Sequence, residues 1–132
     1  MPIVYLNPEG SSPSASAPPL SSAVRAGDFV FTSGQLPRDS TGALIEADVG
    51  SQAAQALANL MRALALADCN VKDVVKVTVW LADIDDLPEF NRVYADFFGA
   101  CRPARSTTQA KLVGGAAVEI EALAYRPLAA QT

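Results

Sequence analysis

No histidine occurs among the 132 residues, and that absence removes the usual imidazole base, the usual partner of a nucleophilic serine and the commonest zinc and copper ligand. Serine–histidine chemistry is excluded. Cysteine is nearly as scarce. Cys69 and Cys101 stand far apart with no paired motif around either, so neither a thiolate zinc cage nor a CxxC redox centre is expected. Two buried free thiols in a reducing compartment are expected in preference to a disulfide. Basic residues are few: 10 Lys and Arg against 14 Asp and Glu leave a formal charge of −4. Such a chain repels a phosphate backbone unless its cations gather on one face, so non-specific nucleic-acid binding is not expected. Long apolar runs are missing too. The longest, Ala63 to Ala67, is far short of a bilayer, and the first basic residue, Arg25, comes too late for a signal-peptide n-region. The expectation is a soluble cytoplasmic protein with no membrane partner.

What is present fits one compact domain over residues 1–132, because a 13.8 kDa chain that is 50% hydrophobic can bury a real core. Alanine supplies 24 of those hydrophobic residues and aromatics only 7% of the chain. Close-packed helices are therefore expected in place of a bulky aromatic core.

Residues 1–22 hold five of the nine prolines and six serines, a composition that resists helix and suits an extended arm or loop. Arg25-Ala26-Gly27-Asp28 reads as a turn before a strand, Phe29 to Ser33, rich in aromatic and β-branched residues. A polar loop, Leu36 to Gly42, precedes a short edge strand at Ala43 to Glu46. From Asp48 to Asp68 the apolar residues Ala53, Leu57, Leu60, Met61, Leu64 and Ala67 recur at helical spacing, with Asp48 or Ser51 as cap. Val71 to Ala82 switches to period two, placing Val75, Val77, Val79 and Leu81 on one face and Lys76, Thr78 and Trp80 on the other. A second helix begins at Asp85 or Asp86, before Leu87-Pro88. It buries Phe90, Val93, Tyr94, Phe97 and Phe98 and ends at Gly99. Arg105 to Leu112 and Val118 to Ala124 read as strands of a terminal hairpin turning at Val113-Gly114-Gly115-Ala116. The sum is an α+β fold, a mixed sheet with two helices on one face.

Several strings coincide in order and spacing: Phe31-Thr32-Ser33-Gly34-Gln35, Asn59, Val74 to Val79, Asn91, Pro103-Ala104-Arg105-Ser106 and Val118-Glu119-Ile120-Glu121-Ala122. Together they resemble the RidA family, also called the YjgF family, over about Ala17 to Tyr125. The resemblance implies a chorismate-mutase-like α+β fold, a homotrimer around a central barrel and pockets in the clefts between subunits. It implies hydrolysis of reactive enamines and imines of amino-acid origin to 2-oxo acids and ammonia, with neither metal nor organic cofactor. Arg105 matches the family's arginine that grips the substrate carboxylate, and a planar, permanently charged fork suits that task better than a lysine. Standing alone, such an Arg is more often a surface cap or weak ion pair.

Glu119 matches the family's water-activating carboxylate. Glu121 shares its parity, so two acids on a solvated strand face remain the bland alternative. Ser33 and Gly34 correspond to a hydroxyl and a close backbone approach to substrate, although Ser-Gly also simply ends a strand. Asn91 matches a pocket residue, or is a local hydrogen-bonder. Leu20 stands where the family commonly has a pocket tyrosine, and Ser22 where glutamine is frequent. Thr107 replaces a frequent cysteine, and Leu112-Val113 lacks the usual proline. The lost aromatic hydroxyl points to a bulkier or more apolar substrate.

With a hairpin turn centred between Gly114 and Gly115, Arg105 faces Ala124 and Glu119 faces Ala110. At roughly 3.3 Å per residue the two lie about 16 Å apart, on opposite faces. One hairpin cannot join them, so the expectation is a pocket pairing Arg105 of one subunit with Glu119 of its neighbour. A non-catalytic trimer that binds small carboxylated metabolites is the rival reading. A ribonuclease ranks last, given the net charge and missing histidine.

Overall fold

A computed structural model describes residues 2–11 and 17–128; residues 12–16 of the Pro/Ser-rich arm lie outside them. Six strands and two helices follow one another in the order β1 (Ile3–Leu6), β2 (Ala23–Ala26), β3 (Phe29–Thr32), α1 (Val49–Ala65), β4 (Val74–Leu81), α2 (Leu87–Phe98), β5 (Ala104–Gln109) and β6 (Val118–Tyr125). They form one mixed sheet in the spatial order β1-β2-β3-β6-β4-β5. The start of the arm is thus a strand, antiparallel to β2. Ala23 to Ala26, expected partly as turn, is the first limb of a tight hairpin whose reversal is confined to Gly27-Asp28, with Gly27 at φ +63°.

Both helices lie on one face. Asp48 caps α1 by accepting from the Ser51 N–H at 2.8 Å, and Leu57, Leu60 and Leu64 are fully buried beneath it. Each such leucine contributes about 1.5–3 kcal/mol. From the sheet, Val30, Val77, Val79, Val118 and Ile120 meet them. Gln52, also buried, spans helix and sheet: its amide oxygen accepts from Ala117 N at 2.9 Å and its amide nitrogen donates to the Ala47 carbonyl. Gln52→Ala leaves the Ala117 N–H without its partner and is expected to cost about 1–3 kcal/mol, measurable as a shift of the urea midpoint.

Several expectations are corrected. The terminal hairpin does not form. β5 runs parallel to β4, and β6 pairs antiparallel with β3 and β4. The end of β4 is inserted between the two strands expected to pair: Ala110 N donates to Leu81 O on one side, and Ala82 N donates to Ala117 O on the other. The reason is the helix. A β4–α2–β5 crossover returns the chain parallel to β4, so the sheet edge is taken before the Gly114-Gly115 reversal begins.

Val75 is exposed, because a bulge between Val74 and Lys76 takes it out of the alternation. Ala43 to Glu46 supplies only one bridge, Leu44 to Arg38, rather than a strand. Asp86 sits at the start of α2 without a side-chain cap. A 3₁₀ turn, Ile84–Asp86, leads into the helix, and its cap is Asp83. Both cysteines are free, but only Cys69 is buried; Cys101 is exposed in the loop after α2.

Candidate active site

The candidate residues fall into two groups, one on each face of the sheet. On the face without helices, Glu119 projects from β6 beside Gly34. A Cβ built on Gly34 would overlap the carboxylate and lie 3.0 Å from its carbon, so glycine is what lets the acid lie on the backbone. Gln35 holds that backbone to β6 by exchanging hydrogen bonds with Ile120 (2.7 and 3.1 Å). Ser33 Oγ donates to the Ser21 carbonyl at 2.6 Å, tying β3 to the Pro18-Pro19-Leu20 loop. Leu20 and Ser33 both line an open hollow of about 940 Å³, bounded further by Tyr5 and Val24. Ser33 thus lines the hollow with Leu20, and Gly34, the next residue, lies against Glu119, but neither Gly34 nor Glu119 lines the hollow itself.

Glu119 is partly buried, and its pKa is raised, first by that burial and second by the negative charge of Glu121. The folded carboxyl thus holds its proton more tightly than the unfolded one. Its contribution to stability is present below the unfolded-state pKa and is lost as pH rises through the folded one. Glu119→Gln is accordingly expected to melt higher than the parent near neutral pH, with the difference vanishing in acid. Paired thermal melts across pH check the sign.

On the helix side, Arg105 rises from the edge strand β5 over two aromatic rings of α2. Its guanidinium carbon lies 4.7 Å from the Tyr94 ring centroid and 5.6 Å from that of Phe90. Among the described residues the guanidinium makes no hydrogen bond and no ion pair, which leaves its fork of donors open to an anion. Thr107, two residues along the strand, has a buried hydroxyl without a partner. Asn91 is exposed on α2, next to Phe90, and its side chain is unbonded among the described residues.

The two groups do not meet within one chain. Glu119 lies opposite Trp80, and Trp80 opposite Thr108, so β4 separates Glu119 from the strand that carries Arg105. Two strand spacings across and three residues along place their Cα atoms about 14 Å apart. Their side chains diverge, because Arg105 faces α2 while Glu119 alternates with the helix-facing Val118 and Ile120. The hairpin register from which this separation was expected does not exist; the intervening strand produces it instead. The aromatic pair beneath Arg105 was read only as core. Its one signal is an i, i+4 aromatic pair on the helix preceding a polar, arginine-bearing strand.

A family model described as Endoribonuclease L-PSP matches residues 10–126. A Bos taurus protein named 2-iminobutanoate/2-iminopropanoate deaminase is 43% identical over 82% of this chain and 80% of its own. The chain belongs to the RidA family. A RutC family protein of Pyrococcus horikoshii is 41% identical over 82% of this chain and 87% of its own. Among solved structures, E. coli TdcF with bound serine superposes with a TM-score of 0.83 at 34% identity, covering 93% of this chain and 98% of that one. Family members thus carry different names over a shared mixed sheet with two helices. No helix among the described residues is long and apolar enough to cross a membrane.

Proposed function

We propose that the protein hydrolyses reactive 2-imino acids, and the enamines that tautomerise to them, to 2-oxo acids and ammonia in pockets shared by two protomers of a homotrimer. The observation that carries this reading is the Arg105 guanidinium, which among the described residues has no anion of its own, in a chain whose best-placed base lies on the opposite face. The deaminases at 41–43% identity supply the substrate class, and TdcF with bound serine shows that a relative binds a small amino acid.

In this mechanism Arg105 fixes the substrate carboxylate, and Glu119 of the neighbouring protomer accepts a proton from water as the oxygen bonds to the imine carbon. The proton passes to nitrogen in the resulting carbinolamine. Glu119 then takes the carbinolamine's hydroxyl proton and hands it to the amino nitrogen as the C=O bond forms and the C–N bond breaks, releasing ammonia and leaving the 2-oxo acid. Burial of Glu119 makes it a stronger base than an exposed carboxylate, so kcat should fall as pH drops through its raised pKa. The C=N carbon is already electrophilic, so positioning plus one acid–base group suffices.

Support for assembly comes from the open face of the sheet. Phe29, Phe31, Val75 and Tyr125 are exposed there, each more than 40% accessible, around the half-buried acids. A face of this kind asks for a partner surface, and a second copy gives Glu119 access to a foreign Arg105.

The test is ammonia release from imino acids generated in situ by an amino-acid oxidase. Acceleration over the spontaneous rate, lost in both Arg105→Ala and Glu119→Gln, supports the reading. Carboxylate binding without acceleration would favour a non-catalytic binder. RNA cleavage abolished by a point substitution would favour the ribonuclease that the family model's description names.

A further inference from the structure

Phe90 and Tyr94 stand one helical turn apart on α2, both buried, with ring centroids 5.6 Å apart and planes inclined by 40°. Phe98 supports Tyr94 from the next turn, 4.6 Å away. Three aromatic side chains thus form a continuous buried row, and the first two come beneath the guanidinium of Arg105. Nothing polar holds that guanidinium among the described residues. A free arginine samples many rotamers, and ordering it on a ligand costs affinity; a two-pronged grip needs the fork presented in one direction beforehand.

We propose that Tyr94, with Phe90, is a positioning residue for Arg105: the ring faces hold the guanidinium by cation–π attraction and preorganise its donors toward the anionic head of the ligand. The inference rests on the reading of Arg105 as a carboxylate anchor. It assigns to the helix a role in recognition that its apolar stripe alone would not disclose.

Two further observations fit a role for the ring and not for its hydroxyl. The Tyr94 hydroxyl is buried and has no hydrogen-bond partner among the described residues. Burial, opposed by the Arg105 charge, also pushes its pKa up to about 12, so the phenol stays neutral at any working pH and offers no anionic partner to the guanidinium. What remains is the quadrupole of the ring, which phenylalanine shares.

Three measurements test this: turnover kinetics with in situ imino acid, the dissociation constant of 2-oxobutanoate as a stable carboxylate probe, and the NMR shifts of the Arg105 δ-methylene protons, assigned with Arg105→Lys. Tyr94→Leu should raise both KM and the 2-oxobutanoate dissociation constant about tenfold, with kcat within about twofold of the parent. Tyr94→Phe should restore all three values. In the parent and in Tyr94→Phe the δ protons should be displaced upfield by ring currents; in Tyr94→Leu, with only the more distant Phe90 ring left, most of that displacement should be lost. A folded Tyr94→Leu with parental affinity would overturn the proposal. So would unshifted δ protons in the parent protein, which decides the matter even where Tyr94→Leu does not fold. Shifted protons and 2-oxobutanoate binding without ammonia release would reject the hydrolase and leave the aromatic support standing.

Discussion

Glu119→Gln is expected to lower kcat for imine hydrolysis by about 10²–10⁴-fold, the range for loss of a positioned general base, with little change in KM. The amide keeps the size and the place beside Gly34 but cannot take a proton from water. The same change removes a half-buried negative charge close to Glu121, so the inactive variant should also be the more stable one. That combination, activity lost while the melting temperature rises, separates a functional carboxylate from one kept for solubility. The acid limb of the pH–rate profile should disappear with it.

Arg105→Ala is expected to act differently. Because the guanidinium meets substrate in the ground state as well as the transition state, its loss should appear chiefly in KM. A charge-assisted, two-pronged contact of about 3 kcal/mol corresponds to a fall in kcat/KM of about 10²-fold. Arg105→Lys should recover only part of it, since an ammonium keeps the charge and loses the fork. Folding should survive, because among the described residues the guanidinium has no partner to abandon apart from the two rings. Steady-state kinetics on both variants, beside their melting curves, distinguish the roles.

Part of the fold was legible in the chain because it is local. Glu119 sits at a strand position whose parity can be read directly, Ser33-Gly34 directly follows β3, and both helical stripes, Leu57 to Leu64 and Phe90 to Phe98, follow from spacing. The hairpin was not legible correctly. Two strands flanking Gly114-Gly115 look like neighbours, and only the packing of α2 against the sheet decides that β4 comes between them. Val75 escaped for a similar reason, since a bulge is a property of the pairing partner as much as of the strand. The aromatic support under Arg105 escaped because a buried ring that packs and a buried ring that orients a cation carry the same letter. Leu20 lies at the rim of a hollow with Ser33, and its apolar side chain offers no hydroxyl there.

The central claim is that each working pocket takes Arg105 from one protomer and Glu119 from the next. Mixing the two impaired variants tests it most directly. Differently tagged Arg105→Ala and Glu119→Gln chains, unfolded together and refolded as a 1:1 mixture, should form mixed trimers in three cases of about four, each with one intact pocket of three. Assayed at substrate far below the KM of Arg105→Ala, ammonia release should therefore return to about a quarter of the parental value per protomer, although each variant alone gives about a hundredth of it or less. Mixed trimers, verified by their tags, with no activity above that of the separate variants would contradict the account.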